Sequence, residues 1–360
     1  MKVLFLNTDL GYGGAEKMLA FTANALANQG MDVTFLTYRD NNRCQELVDS
    51  VKRVHIQLEQ KGGKFFSSLG TIKAICKYIK KGKFDLAIAF LTPSQLRLSI
   101  ACMFTKTKLL FSQRGDPYNK GKTFKSRLMS KINYCFFNRA DLFVFQTEKA
   151  KEYYPKRVQS KSCVIPNPIE PLTRTIERSL SSIDKRIVSV ARLELKQKRQ
   201  DLLIEAFKKI SEDYPEYVLE FYGSGPDEQR IRQLIGDNNN IRLCGVTREV
   251  AKTIQSASMF VLTSDYEGIP NALMEAMSIG VPCISTDCSP GGAAMLIKNK
   301  ENGLLVKRND AMLLAEAIKY YIDNPSIAED FGKKGMLIND EYKKDVIAQK
   351  WCSFILSNNN

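Results

Sequence analysis

Two α/β domains, each a Rossmann-like doubly wound parallel sheet and the two facing across a cleft, are predicted by three features of this chain. Short apolar runs alternate with helix-forming segments along both halves. The alternation stops once, at a stretch holding three prolines, and then restarts. The chain has 360 residues, enough for two cores.

The elements follow in order. KVLFLNT reads as a strand, then a glycine turn, then a helix over Glu16–Asn28, then the strand DVTFLTY. FDLAIAFL, KLLFSQ and DLFVFQT are further strands, short, apolar and bounded by polar turns, as in a sheet buried on both faces. IPNPIEPLTRTIERSLSS has little periodicity and reads as the linker between a domain over 1–170 and one over 180–339. In the second half KRIVSVARL, YVLEFYGSG, NIRLCGV, MFVLTS and VPCISTD are strands, with helices at DLLIEAFKKI, DEQRIRQLI, EVAKTIQSA and Ala272–Ser278. The tail from about Asp340 to Trp351 is helical by pattern.

Composition narrows the classes. No apolar run approaches the ~20 residues of a membrane span, and MKVLFLNTDL is too short for a secretory signal and reads as a strand. The nine cysteines are scattered, odd in number and without Cys-x-x-Cys, as for free thiols in a reducing cytoplasm. With one histidine, no ligand spacing and no Asp-x-Asp, a protein-held metal is not expected. No G-x-S-x-G elbow supports a serine hydrolase. His55 falls in a peripheral strand and reads as structural. The net charge of +14 is uneven: residues 1–175 carry 29 Lys/Arg and 13 Asp/Glu, against 24 and 26 in 176–360. The first half therefore faces something acidic, such as anionic lipid, nucleic acid or an anionic acceptor.

The most informative segment is SDYEGIPNALMEAMSIGVP. Glu267-Gly268-Ile269-Pro270-Asn271 forms the turn between a strand end and a helix start, where backbone N–H groups attract anions. Gly268 removes a Cβ where a ligand comes close. A carboxylate there would repel an anion and is suited to accept hydrogen bonds from hydroxyls; Glu275, further along the helix, can do the same. Together they suit a nucleotide sugar, although a plain strand-turn-helix with surface glutamates has the same spacing.

Other strand ends supply candidates. Leu10-Gly11-Tyr12-Gly13-Gly14 could bring backbone amides to a phosphate, or be a tight turn, and it is no full dinucleotide fingerprint. Arg192 and Lys198 could neutralise a diphosphate and its growing leaving-group charge, or be solvated loop residues, as Lys196 and Arg199 read. Gly223 and Gly225 end one strand and Gly245-Val246 another, where a base could lie, or each could be a turn. In Gln113-Arg114-Gly115-Asp116, Asp116 could orient an acceptor hydroxyl and Arg114 could pair with it or touch phosphate; an Arg–Asp pair fixing the loop is the alternative. Two basic stretches carry apolar residues at helical spacing: Leu69, Ile72, Ile75 and Ile79, and Phe124, Leu128 and Ile132. They suit an anionic membrane surface, or pack on the sheet and leave their lysines in water.

The second half resembles the retaining glycosyltransferases of family 4, with the GT-B fold. The resemblance lies in SVARL, FYGSGPDEQRI, IRLCGV, SDYEGIPNALMEAMSIGVPCISTDC and NGLLV, with GGAE at Gly13–Glu16 and IPNP at Ile165–Pro168 in the first half. It implies that Arg192 and Lys198 bind the donor diphosphate, Glu267 the sugar and Glu275 the ribose. The backbone of Gly268, Ile269, Asn271 and Ala272, with Gly13 and Gly14, would complete the phosphate site, and the loops at Gly223 and Val246 the base site. It also implies that a C-terminal helix, over 340–360, rejoins the first domain. Two departures stand out. Many members have a histidine where this chain has Gln113–Asp116, and the step from Arg192 to the lysine is one residue longer, which keeps Lys196 as a rival to Lys198.

TDCSPGG (Thr286–Gly292) resembles enzymes of capsule, O-antigen and lipid-linked oligosaccharide assembly. These imply a UDP-hexose or UDP-N-acetylhexosamine donor, a polyprenyl-diphosphate-linked acceptor, no separate cofactor or metal, and a peripheral place on the cytoplasmic face of the inner membrane. The rival classes are an epimerase or phosphorylase of the same architecture, and a non-catalytic binder of anionic polymer. A nucleic-acid partner lacks the interleaved surface aromatics of single-strand binders.

Overall fold

A computed structural model describes residues 1–11, 14–39, 45–56, 64–118, 124–169, 183–247 and 249–358, without the side chains of 64–68 and 124–127. The chain forms two compact units, Met1–Pro166 with Asp345–Asn360, and Asn167–Lys344.

The first unit holds strands β1 (Lys2–Asn7), β2 (Asp32–Thr37), β3 (Lys52–His55), β4 (Leu86–Ala89), β5 (Lys108–Gln113), β6 (Leu142–Phe145) and β7 (Ser162–Val164). They pair in parallel in the order β3-β2-β1-β4-β5-β6-β7. Period-2 alternation assigns the side chains to two faces. Val3, Phe5, Val33, Phe35, Ile88 and Val144 pack on one, with Leu19 and Leu26 of the helix Gly14–Asn28. Leu4, Leu6, Leu36, Ala89, Phe111 and Phe145 pack on the other. Because both faces are covered, the strands are apolar throughout instead of alternating with polar residues.

Ile75 and Ile79 of the helix Lys64–Gly82 are buried on that second face, so half of the first basic stripe belongs to the core. Lys73, Lys77 and Lys80 stay exposed. On the helix Phe124–Phe137 the outcome differs: Leu128, Met129 and Ile132 are exposed. His55 sits on the edge strand β3, its Nδ1 3.1 Å from Thr37 Oγ1. The tail helix runs over Lys344–Ser357, later than the pattern predicts, and buries Ile347, Trp351 and Ile355 on the first face of the sheet.

The second unit holds β8 (Asp184–Val190), β9 (Val218–Tyr222), β10 (Ile241–Leu243), β11 (Ala257–Leu262), β12 (Cys283–Thr286) and β13 (Leu304–Val306). Their order is β10-β9-β8-β11-β12-β13, all parallel. Order reverses between β8 and β11, and in such sheets ligands bind beyond the strand carboxyl ends at that switch point. Strands β7, β10 and β13 have three residues each, and of these only β10, inside NIRLCGV, is anticipated by the pattern.

Trp351, the single tryptophan, is fully buried and stacks on Phe90 with ring centroids 5.5 Å apart. Trp351→Ala should lower the unfolding free energy by about 3–5 kcal/mol, measured by urea unfolding followed by far-UV circular dichroism.

Candidate functional site: a lysine–glutamate pair at the switch point of the second sheet

The segments leaving β8 and β11 meet at the switch point. After β8 the chain passes Arg192, forms a short helix (Leu195–Lys198), turns at Arg199 and enters the helix Gln200–Lys208. After β11 comes the turn from Thr263 to Pro270, then the helix Asn271–Ser278. Hydrogen bonds to backbone carbonyls join the two segments. The Asp265 amide donates to Gln197 O (2.8 Å), Gln197 Nε2 donates to Tyr266 O (3.0 Å) and Thr263 Oγ1 donates to Lys198 O (2.8 Å). The segment after β12 holds the turn's other side: the Glu267 amide donates to Ser289 O (2.7 Å) and Thr286 Oγ1 to Ser264 O (2.7 Å).

This frame brings Lys198 and Glu267 together. Lys198 Nζ donates to Glu267 Oε1, and Ser264 Oγ donates to the same oxygen at 2.8 Å. Their side chains are 17% and 12% exposed, which is shielded enough for each charge to need a partner. Glu267 Oε2 accepts no hydrogen bond among the described residues, and the ammonium keeps two hydrogens for another acceptor. Lys196 is exposed and makes none of these contacts. Arg192 projects into solvent, 64% exposed, with Nη1 3.4 Å from Glu194; buried Gln200 holds its backbone by donating to Arg192 O at 2.9 Å. Arg199 corrects the expectation of a solvated side chain. It pairs with Asp201 and Asp265, and the Asp201 hydrogen bonds raise its guanidinium above the usual range.

The helix Asn271–Ser278 begins after Pro270, which offers no side-chain cap, so its first-turn amides are left for another acceptor. Asn271 is exposed and Ala272 half-buried, while the side chain of Ile269 is in the core, so only its backbone can serve a ligand. Glu275, partly exposed, lies one helical turn beyond Asn271 on the same face. Sequence reasoning missed the support beneath this helix: buried Asn167 of the Ile165–Pro168 motif donates from Nδ2 to Asn271 Oδ1 at 2.8 Å.

The glycines at this rim serve packing. A Cβ on Gly223, at φ +146°, would lie 1.9 Å from Ala191 O, and one on Gly225 2.2 Å from Leu193 O. The loop after β9 thus lies directly on the segment carrying Arg192. Gly292 similarly abuts Gly268 O, which a Cβ would approach to 1.9 Å. Val246 is 69% exposed beyond β10, next to Gly245, whose carbonyl accepts from the Gly223 amide at 2.7 Å.

In the first unit, Gly13 lies outside the described residues and Gly14 opens the first helix, exposed. Asp116 Oδ1 accepts from the Tyr118 amide at 2.9 Å, which fixes its turn. Arg114 lies over the rings of Phe90 (4.3 Å) and Trp351 (5.6 Å), with Nε and Nη2 sealed from solvent. Burial pulls its guanidinium down to about 9. Arg114 is thus a half-buried cation stacked against the Trp351 ring of the tail helix. Among the described residues no cluster of three or more His, Cys, Asp or Glu could hold a metal ion, and no helix is long and apolar enough to cross a membrane.

Comparison with known proteins adds the decisive observation. Residues 12–171 match the family described as Glycosyltransferase Family 4, and residues 175–337 the one described as Glycosyl transferases group 1. The chain belongs to the family 4 glycosyltransferases. This glycosyltransferase of glycan or polymer assembly is 25% identical over 356 residues to an uncharacterized glycosyltransferase of Haemophilus influenzae, covering 97% of this chain and 98% of the relative. It is 23% identical to the Campylobacter jejuni enzyme named GalNAc-alpha-(1->4)-GalNAc-alpha-(1->3)-diNAcBac-PP-undecaprenol alpha-1,4-N-acetyl-D-galactosaminyltransferase, covering 99% and 98%. The Anabaena protein HepE in complex with UDP-glucose shares the fold, GT-B, at TM-score 0.79, 17% identity and coverage of 99% and 100%.

Lys198→Ala should destabilise the glycosyltransferase by on the order of 1–3 kcal/mol, since it leaves the shielded Glu267 carboxylate unpaired. Adding Glu267→Gln should recover most of that loss in a denaturant double-mutant cycle.

Proposed function

We propose that this enzyme moves a hexose or N-acetylhexosamine, with retention of configuration, from a UDP-sugar to a polyprenyl-diphosphate-linked glycan, and that it needs no metal or separate cofactor. The observation that carries the reading is the Lys198–Glu267 pair beside the uncapped start of the helix Asn271–Ser278. A cation and open amides suit a diphosphate; a carboxylate with one free oxygen suits a sugar hydroxyl. The donor class is further supported by HepE, whose structure holds UDP-glucose, and the acceptor class by the undecaprenol-linked substrate in the name of the Campylobacter relative.

In this reading Lys198 turns its remaining hydrogens to the β-phosphate, and Arg192, free to swing, reaches the same group. The amides of Gly268, Ile269, Asn271 and Ala272 share the phosphate charge. Glu267 Oε2 accepts from a sugar hydroxyl, Glu275 from the ribose, and the loops at Gly223 and Val246 border the base. The bond from the sugar C1 to the β-phosphate oxygen breaks as C1 bonds to the acceptor oxygen on the same face. The acceptor proton passes to a β-phosphate oxygen. Lys198 and Arg192 stabilise the charge on the departing UDP, so a metal ion is not required. Asp116 is the group assigned to the acceptor hydroxyl.

The basic first half and exposed Leu128, Met129 and Ile132 support a peripheral seat on an anionic membrane surface on the cytoplasmic side.

Two experiments test the proposal. In a thermal-shift panel UDP-sugars should stabilise the protein and GDP- and ADP-sugars should not. Glu267→Gln and Arg192→Ala should each lower transfer to an extracted lipid-linked acceptor at least ~100-fold with the fold retained; full turnover in either would refute the assignment. For the membrane seat, Leu128→Gln with Ile132→Gln should weaken co-sedimentation with anionic liposomes and leave binding of UDP unchanged. Liposome binding insensitive to both changes would remove this helix from the interface.

A further inference from the structure

We propose that Arg199 is a positioning residue of the donor site: its guanidinium fastens the turn that presents Glu267 to the segment that presents Lys198. The inference deepens the nucleotide-sugar reading above and rests on it for its consequence in turnover.

Three observations carry it. Arg199 adopts a left-handed backbone, φ 50° and ψ 44°, where it ends the helix Leu195–Lys198 and opens Gln200–Lys208. Side chains with a Cβ rarely take this conformation, and it persists where surrounding contacts over-determine it. Among the described non-glycine residues only Lys83, Lys300 and Asn309 also have a positive φ, and Asn309 touches Arg199: Nη1 donates to Asn309 Oδ1.

Second, the guanidinium serves three segments at once. Nε lies 3.1 and 3.2 Å from the two Asp201 oxygens, and Nη2 lies 3.0 Å from Asp201 Oδ2. Nη1 lies 3.4 Å from both Asp265 oxygens. Only a planar fork can meet acceptors in these directions together; a lysine ammonium would serve them as a point charge.

Third, Asp265 is held from the other side as well. Its carbonyl accepts from Arg308 Nη1 at 3.0 Å and from the Ser289 amide at 3.0 Å. Arg199 follows Lys198 directly, and Asp265 stands two residues before Glu267. An Arg199–Asp265 pair on the outer side therefore sets the spacing of the Lys198–Glu267 pair on the inner side. Lys198 and Glu267 touch substrate in the proposed reaction; Arg199 acts through them.

The test uses Arg199→Gly, which suits the left-handed backbone and removes the fork, so the fold is kept. Hydrogen exchange of the Asp265 and Glu267 amides, both hydrogen-bonded in the structure, should quicken at least ~10-fold, with the unfolding midpoint little changed. With UDP-glucose as probe donor, turnover should fall ~10–100-fold while its KM moves less than about threefold. Arg199→Lys should stay closer to the glycine variant than to the wild type, and Asp265→Asn should reproduce the loss without adding to it. Unchanged exchange at both amides, or full turnover in Arg199→Gly, overturns the proposal. The exchange measurement needs no nucleotide. A wild-type protein that neither binds nor turns over UDP-glucose would defeat the choice of donor and leave exchange to decide the clamp.

Discussion

The turn from Thr263 to Pro270 is the constraint on which the candidate site depends. A carboxylate as shielded as Glu267 keeps one geometry only if its backbone is immobile and its charge is met. Both conditions are fulfilled by neighbours from inside the turn and from segments remote in sequence. Gln197 and Thr286 bind the backbone, Ser264 and Lys198 bind one carboxylate oxygen, and the other oxygen is spared. Parallel strands make this possible, because their carboxyl ends gather at one edge the segments after β8, β11 and β12.

The electrostatics of this edge follow from pairing. Lys198 and Glu267 satisfy each other, so neither carries an unmet charge in a shielded place. A phosphate could take over part of the lysine's hydrogen-bonding capacity without the carboxylate being abandoned, since Ser264 Oγ still donates to it. Arg192 differs in kind. Its backbone is anchored and its side chain is solvated, which gives a charge that can move several ångströms at little desolvation cost.

The first unit shows how one residue type can carry opposite meanings. Lys73, Lys77 and Lys80 of the helix Lys64–Gly82 lie in water above isoleucines that belong to the core. Arg114, by contrast, is pressed onto Phe90 and Trp351, its charge offset by ring faces. The tail helix that supplies Trp351 thereby becomes part of the core beneath the end of β5.

Much of the fold is legible in the chain because the signals are local. Apolar runs covered on both faces mark a parallel sheet, and eleven of the strands coincide with stretches read as strands, from KVLFLNT and DVTFLTY to the peripheral strand around His55. The three-residue strands β7 and β13 do not stand out from their flanks, whereas the equally short β10 does because Ile241 and Leu243 alternate with Asn240 and Arg242. At the site, the sequence determined which residue types stand at the strand ends: Glu267, Arg192, Lys198 and an uncapped helix start. It could not choose between Lys196 and Lys198, it misjudged Arg199, and it gave no sign of the ring contacts of Arg114. Those outcomes turn on which side chains the crossover connections bring within a few ångströms of Asp265, Glu267, Phe90 and Trp351. Such neighbours lie tens to hundreds of residues away along the chain, and only the tertiary structure assembles them, because pairing and burial depend on distance in space.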